Sequence, residues 1–524
     1  MREYTKLFID GQWVQPSVLK TVELSDPTTG TPFAKVAMGG VEDVDRAVAA
    51  ARRAFTAHSQ TSVADRIALF DRIIAAYEAR MDELSAVIAE EMGCPVSARV
   101  QVSGPLTHFR QARMVLASYP FESRIGDTIV RREPIGVCGL VSPWNWPIQT
   151  LTVKIAYALA AGCTVVCKPS QVTPISAILL TEVLEAAEVP RGVVNLVLGE
   201  GATVGEALAG HPDVDLISFT GSTGAGARVG AVAAQSIKRV SLELGGKSAN
   251  IVLPDADIAA AARWNVQRCF FNTGQSCHAP SRLLIPRHKM PEALRAMREE
   301  VSEIRIGDPR DPATSMGPMV NRAQFDRVQR YIEIGLEEGA TLVCGGPGLP
   351  DGLSRGAFVR PTIFADVTPE MTIAREEIFG PVLAVLAYDD EEEAISIANE
   401  GPFGLAGYVF SGDAEKAYQV GNRLRAGRVF YNGAAADPAS PMGGYKQSGN
   451  GREMGIFGLE EYLEVKAVFG FKGAGTGASA SSFVTTSSGG ALASSAALSF
   501  SRADSSCPTE PTSETRSRLG SSSW

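Results

Sequence analysis

Eight cysteines and only five histidines occur among 524 residues, and neither type repeats at a fixed spacing. Cys163 and Cys167 lie four apart, but no further Cys or His cluster follows to complete a metal site, so no metal is expected. Reduced thiols of a cytoplasmic protein are the simplest reading of such cysteine usage. Long apolar runs are also missing. The longest apolar region, Ile155 to Cys167, is broken by Gly162 and reads as a buried helix followed by a strand, well short of the roughly 18 residues a membrane span needs. Positive charge is in deficit: Lys and Arg number 49 against 58 Asp and Glu, for a net charge of -9. No basic stripe is left to neutralise phosphates, which argues against a nucleic-acid partner. The opening Met1-Arg2-Glu3-Tyr4-Thr5-Lys6 has neither the apolar core of a secretory signal nor the acid-poor, Arg-rich character of a transit peptide.

What remains is the composition of a globular enzyme, 45% hydrophobic and 20% charged. The length suggests about three domains at roughly 100–200 residues each. Apolar residues recur at helical spacing from Val44, and a second long helix is predicted from about Val63, so that 44–92 reads as helical. From Pro134 the pattern changes. Strands are predicted at Gly136–Ser142, Cys163–Lys168, Val193–Val197 and Val214–Thr220, with helices at Pro147–Ala161 and Thr173–Ala187. Alternation of this kind implies a parallel, doubly wound sheet. It resumes at Asn250–Leu253 with a helix from about Ile258, suggesting a second α/β domain reaching to about Val429. The segments Thr128–Glu133 and Leu463–Val468 read as exposed strands, and Glu391-Glu392-Glu393 as a solvated helix start. From about Gly473 the sequence turns to Ser, Ala, Gly and Thr without periodicity, a composition that predicts disorder.

Four segments carry chemistry. Cys277 stands in Phe270-Phe271-Asn272-Thr273-Gly274-Gln275-Ser276-Cys277-His278-Ala279-Pro280-Ser281-Arg282. Glu243 stands in Leu242-Glu243-Leu244-Gly245-Gly246-Lys247-Ser248, and Asn145 in Ser142-Pro143-Trp144-Asn145-Trp146-Pro147. A nucleophilic thiol, a carboxylate able to act as base and an amide able to donate to an oxyanion are what acyl chemistry through a thioester needs. Phe219-Thr220-Gly221-Ser222-Thr223-Gly224-Ala225-Gly226 ends a predicted strand and opens a helix, where backbone N–H groups and the helix N-terminus favour phosphate. Its Gly221-x-x-x-x-Gly226 spacing departs from the usual dinucleotide fingerprint. His278 adjoins Cys277, but successive residues usually point apart, so it reads as structural.

Together these segments closely resemble the aldehyde dehydrogenase superfamily, over roughly residues 6–471. The Gly221–Gly226 spacing matches the family's variant, in which the Gly221-Ser222 pair would contact the pyrophosphate of NAD or NADP. The resemblance further implies that Lys168 and Gln171 contact the adenosine ribose. Glu377 and Phe379, in Glu376-Glu377-Ile378-Phe379-Gly380-Pro381, would hold the nicotinamide ribose and ring. Trp144, Gly226 and Leu244 complete the expected cofactor contacts. NAD-preferring relatives typically carry Glu where this chain has neutral Gln171, so NAD and NADP are both expected as cofactors. Pro441–Gly449 and Gly451-Arg452-Glu453 match a segment at the mouth of a substrate funnel. Trp146 and Phe271 would wall the substrate pocket, beside the small residues of Gly433–Ser440.

The implied fold is α/β, with two Rossmann-like parallel-sheet domains plus a small β oligomerisation arm. Residues 1–115 and 134–245 would form the dinucleotide-binding domain and 246–432 the Cys-bearing catalytic domain. Residues 116–133 and 433–471 would form the arm and funnel mouth, and 472–524 the disordered tail. Arms of this kind pair between subunits in the family, so a homo-oligomer, dimer or tetramer, is expected. The implied activity is oxidation of a small-molecule aldehyde to a carboxylic acid with NAD(P)+. Cys277 would attack, Asn145 Nδ2 and the Cys277 N–H would stabilise the oxyanion, and Glu243 would activate the hydrolytic water. A CoA-acylating semialdehyde dehydrogenase and a catalytically silent relative are the rival readings.

Overall fold

The β-branched runs that follow Pro134 assemble into the centre of an eight-stranded sheet. In this computed structural model, residues 1–471 are described, and the segment expected to be disordered lies outside them. Across the sheet run Arg239–Glu243, Leu216–Thr220, Val137–Val141, Thr164–Lys168 and Val194–Leu196, all parallel. The first of these in the chain, Val137–Val141, lies in the middle. Later strands extend first to one side and then to the other, so the winding reverses there. Such a reversal opens a crevice at the carboxyl ends of the strands. Both edges are closed by antiparallel strands: Gly449–Asn450 beside Arg239–Glu243, and Leu7–Ile9 then Gln12–Val14 beyond Val194–Leu196.

A seven-stranded sheet follows in the order Thr341–Cys344, Thr362–Ala365, Val382–Tyr388, Arg282–Pro286, Ala249–Val252, Ala406–Phe410 and Arg428–Tyr431, parallel except for the first. One of its faces packs on Phe325, Val328 and Ile332, the other on Val266, Phe270 and Met297. The segments read as exposed strands pair with each other inside the chain. Leu463–Val468 lies antiparallel to Thr128–Pro134, and Glu122–Ile125 completes a three-stranded sheet. A further small sheet of Arg2–Tyr4, Pro32–Met38 and Lys20–Ser25 had no distinct signal in the sequence.

The helices follow the periodicity with one difference. The stretch read as two helices over 44–92 is three: Val41–His58, Val63–Glu78 and Met81–Met92. The second break falls at Ala79-Arg80, where neither Gly nor Pro marks it. A fourth helix, Val100–Ser118, packs against Pro147–Ala161 so closely that a Cβ on Gly104 would sit 2.6 Å from Gln149 Oε1. Pro147 opens the latter helix at its first turn, where its missing N–H costs nothing, and left-handed Gly162 (φ 95°) ends it. Apart from Gln149 and Thr150 its residues are buried, and most of them are apolar. Leu151, Ile155 and Leu159, each 1% exposed, contribute roughly 1.5–3 kcal/mol apiece. Among the described residues no helix is long and apolar enough to cross a membrane.

Candidate active site

Two sheet ends meet at the residues the sequence singles out. Asn145, Lys168, Gly221 and Glu243 all lie at or just beyond the carboxyl ends of first-sheet strands. Cys277, Glu377 and Phe379 lie just before the amino ends of second-sheet strands. Glycines without side chains bring the two sets together. A Cβ on Gly245 would sit 2.2 Å from Glu377 Oε2, and within the second set one on Gly274 would sit 2.2 Å from the Gly380 carbonyl oxygen. The Gly246 N–H donates to Glu377 Oε1 at 3.0 Å.

The loop ahead of Cys277 is held by strain and amides. Asn272 and Thr273 both have φ 56° and Gly274 has φ 70°, and non-glycine residues in this region cost of order 1–3 kcal/mol each. The cost is offset by hydrogen bonds. Asn272 Nδ2 donates to the Asn145 carbonyl at 3.0 Å, and Asn145 Nδ2 donates to the Gln275 carbonyl at 2.9 Å. Gln275 in turn donates through Nε2 to the Asn272 carbonyl at 3.1 Å and accepts from Val320 N at 2.9 Å. An amide nitrogen carries two hydrogens, so Asn145 keeps one donor beyond the Gln275 bond.

Cys277 is partly accessible, and burial, then the Glu377 and Glu243 carboxylates, push its thiol up to about 12. Such surroundings favour the thiol over the thiolate. His278 lies nearer than the sequence suggested, its Nδ1 4.0 Å from the sulfur. Burial lowers this imidazole to about 4, so at neutral pH it supplies no positive charge.

Glu243 is buried, and neither of its carboxylate oxygens has a hydrogen-bond partner. Burial and the nearby Glu453 carboxylate raise it well above the ordinary glutamate range. A Cβ on Gly443 would reach within 2.8 Å of Glu243 Oε1, so this glycine of the predicted funnel segment is what leaves the carboxyl room. Behind it lies an ion pair of which Glu453 stands in the Gly451-Arg452-Glu453 segment and Lys154 in no motif. Lys154 Nζ is paired with Glu453 Oε1 and donates to Ser218 Oγ at 2.9 Å.

The crevice fits a dinucleotide. Ser142 Oγ and Thr220 Oγ1 are buried without partners at the ends of neighbouring strands. Ser222 caps the helix Thr223–Ala234 by accepting from Ala225 N at 3.3 Å, and Gly224 in its first turn faces open space. That leaves a helix N-terminus uncovered for an anion. Buried Lys168 is lowered by desolvation to about 8, an environment that would favour an anionic or strongly polar partner. Gln171 is half-buried. Gly226 is a packing residue: a Cβ there would meet Leu244 Cδ2 at 2.4 Å. Trp144 and Phe379 meet edge to face at 5.3 Å, and Trp146 and Phe271 stack at 6.0 Å with Trp146 Nε1 donating to Ser276 Oγ at 3.2 Å. Residues 434–437 are exposed. Among the described residues no cluster of three or more His, Cys, Asp or Glu is suited to a metal ion.

Comparison with known proteins gives the following similarities. Residues 13–468 match the model of the family described as aldehyde dehydrogenase. The chain is 50% identical over 476 residues to a 3-succinoylsemialdehyde-pyridine dehydrogenase from a Pseudomonas species, covering 90% of this chain and 100% of that one. A mutant (cysteine to alanine) of aldehyde dehydrogenase C from Pseudomonas syringae, complexed with NAD+ and octanal, superposes with a TM-score of 0.89 at 48% identity, over 90% of this chain and 98% of that one. The NAD+ complex of a Mycobacterium tuberculosis aldehyde dehydrogenase does so with a TM-score of 0.87 at 42% identity, over 91% and 100%.

Proposed function

The chain belongs to the aldehyde dehydrogenase family, and from that premise we propose that it oxidises medium-chain aliphatic or aromatic aldehydes to carboxylic acids with NAD+ or NADP+, through an acyl group carried on Cys277. The observation that carries this reading is the buried Glu243 carboxyl, free of hydrogen bonds, whose charge is felt at the Cys277 thiol. A carboxyl left unpaired in a dry site costs stability, and a hydrolytic base is a function that repays it.

The steps follow from the residues. Glu243 takes the thiol proton as Cys277 Sγ bonds to the carbonyl carbon, and the resulting oxyanion accepts from the remaining Asn145 Nδ2 hydrogen and the Cys277 N–H. When bound, the nicotinamide would supply the hydride acceptor for that carbon, whose oxidation leaves a thioester on Cys277. Glu243 releases its proton to solvent and then takes one from a water that attacks the thioester carbon. The S–C bond breaks, the acid leaves, and Cys277 recovers a proton. Lys168 and Gln171 would hold the adenosine ribose, Gly221 and Ser222 the pyrophosphate, and Glu377, Phe379, Trp144 and Leu244 the nicotinamide end.

The substrate class is supported by the stacked Trp146–Phe271 wall, by the small exposed residues of 434–437, and by relatives that act on a pyridine semialdehyde and bind octanal. A wide apolar funnel gains roughly 0.8 kcal/mol per methylene buried. The exposed Val465 and Phe469 on the arm support assembly into a homo-oligomer, dimer or tetramer. The unpaired cysteines among the described residues support a reducing compartment such as the cytoplasm. The test is product analysis with octanal, benzaldehyde and acetaldehyde, with and without CoA. Free acid formed without CoA, and at least about tenfold higher kcat/KM for octanal or benzaldehyde than for acetaldehyde, is expected. An acyl-CoA product, or acetaldehyde as the better substrate, overturns the reading.

A further inference from the structure

Gln101 belongs to no motif, yet its carboxamide touches both halves of the site. It sits in the first turn of Val100–Ser118, 3% exposed. From there Nε2 donates to the Asn145 carbonyl at 3.3 Å and to Asn272 Oδ1 at 3.4 Å, with Met92 Sδ at 3.8 Å. Its helix is a fixed frame. His108 Nδ1 lies 3.2 Å from Thr152 Oγ1 on Pro147–Ala161, the helix that begins directly after Trp146.

The bonds form a closed set. The Asn145 carbonyl receives Gln101 Nε2 and Asn272 Nδ2, which fills both its lone pairs and fixes the peptide plane that carries the Asn145 side chain. Gln101 also meets Asn272 Oδ1, so the left-handed Asn272 is held from both ends of its amide. Asn272 Nδ2 reaches on to the Gln275 carbonyl at 3.3 Å, the same oxygen that Asn145 Nδ2 donates to. Without the Gln101 donors, Asn145 and the loop of Cys277 would lose their shared anchor on the helical layer.

We propose that Gln101 is a positioning residue that sets the Asn145 amide against the Cys277 loop for oxyanion stabilisation. This rests on the reading of Cys277 as nucleophile and Asn145 as donor. A group acting this way alters the chemical step, since displacement of a catalytic group by about 1 Å costs on the order of 10²-fold in rate. It leaves the cofactor site alone, because Gln101 has no hydrogen bond to Lys168, Gln171 or Ser222 among those of the described residues.

The test uses the full chain and the variants Gln101→Met, Asn145→Ala, Gln101→Met/Asn145→Ala and Cys277→Ala. Methionine keeps the length of the side chain without a donor. The expected result is a kcat for Gln101→Met lowered about 10- to 100-fold in single-turnover NADH formation, with the NAD+ dissociation constant unchanged. The double variant should be no slower than Asn145→Ala within about twofold, because Gln101 acts through Asn145. A kcat for Gln101→Met within twofold of wild type, or losses that multiply in the double variant, overturns the inference. If Gln101→Met fails to fold, Gln101→Glu, which offers only acceptors when ionised, is read by the same criteria. Activity retained in Cys277→Ala would instead overturn the reading of the nucleophile. An inactive Cys277→Ala beside a wild-type-like Gln101→Met overturns the positioning role alone.

Discussion

Gly246 and the Cys277 carbonyl oxygen lie so close that a Cβ on the glycine would stand 2.6 Å from that oxygen. The neighbour is backbone, which cannot rotate away as a side chain could. The segment that follows Glu243 is thereby keyed to the Cys277 loop through the absence of one carbon atom.

Gly246→Ala should therefore displace the Cys277 loop. Overpacking of this kind costs roughly 1–3 kcal/mol, and the rate loss should be on the order of 10²-fold. Gly230→Ala is the control. It lies inside the helix Thr223–Ala234, where a Cβ would meet only Leu242 Cδ1 at 4.0 Å, so melting temperature should hold or rise by the equivalent of up to about 1 kcal/mol. Equal behaviour of the two variants in melting and turnover would contradict the contact.

Glu243→Gln should slow thioester hydrolysis more than its formation, giving a burst of reduced cofactor followed by a slow steady state. The wild-type rate should fall as pH drops through a value well above the ordinary glutamate range, because burial and Glu453 raise this group and its neutral form cannot accept a proton. That acidic limb should vanish in the variant. Stopped-flow absorbance across pH 5–9 checks both, and a limb that persists unchanged assigns it elsewhere.

Gln171→Glu should shift preference towards NAD+ by roughly 1–2 kcal/mol, the scale of a like-charge contact with a 2′-phosphate in a partly exposed site. Wild type should use both cofactors. Discrimination against NADP+ beyond about a thousandfold, or about 4 kcal/mol, would show that Gln171 does not govern the choice.

Glu377 is raised by burial to about 7. Its proton is bound more tightly in the folded chain than in the unfolded one, so this contribution to stability is complete below the ordinary glutamate pKa and is lost as pH rises through about 7. The wild-type melting temperature should fall between pH 5 and pH 8 more steeply than that of Glu377→Gln, whose amide still accepts from the Gly246 N–H. Parallel melting curves over that range would remove Glu377 as a source of the slope.

Local chemistry explains which features were legible in the sequence. Pro147 and Gly162 bracket a helix whose limits are read directly, and Val-rich runs place Thr164–Lys168 and Leu216–Thr220 within a residue or two. The break at Ala79-Arg80 was not legible because no residue there resists helix. Short antiparallel strands such as Gly449–Asn450 give no period to detect, being defined by their partners. Cys277, Glu243, Asn145 and Glu453 stand in recognisable runs, whereas Gln101 and Lys154 act across 44 and 299 positions of sequence. Nothing in a local window marks an amide or a lysine as belonging to a distant site.

The pairing of Gly449–Asn450 with Leu242–Glu243 also bears on how the chain comes into being. A ribosome that has released the first sheet has made Glu243 but not the strand that lies along it, and some two hundred residues must still emerge. Until then the edge of Arg239–Glu243 carries unpaired N–H and C=O groups, the kind of template that invites wrong partners. An isolated fragment ending near Gly245 inherits that open edge permanently. Cutting the chain at this seam is therefore penalised, because the last part of the fold finishes the first.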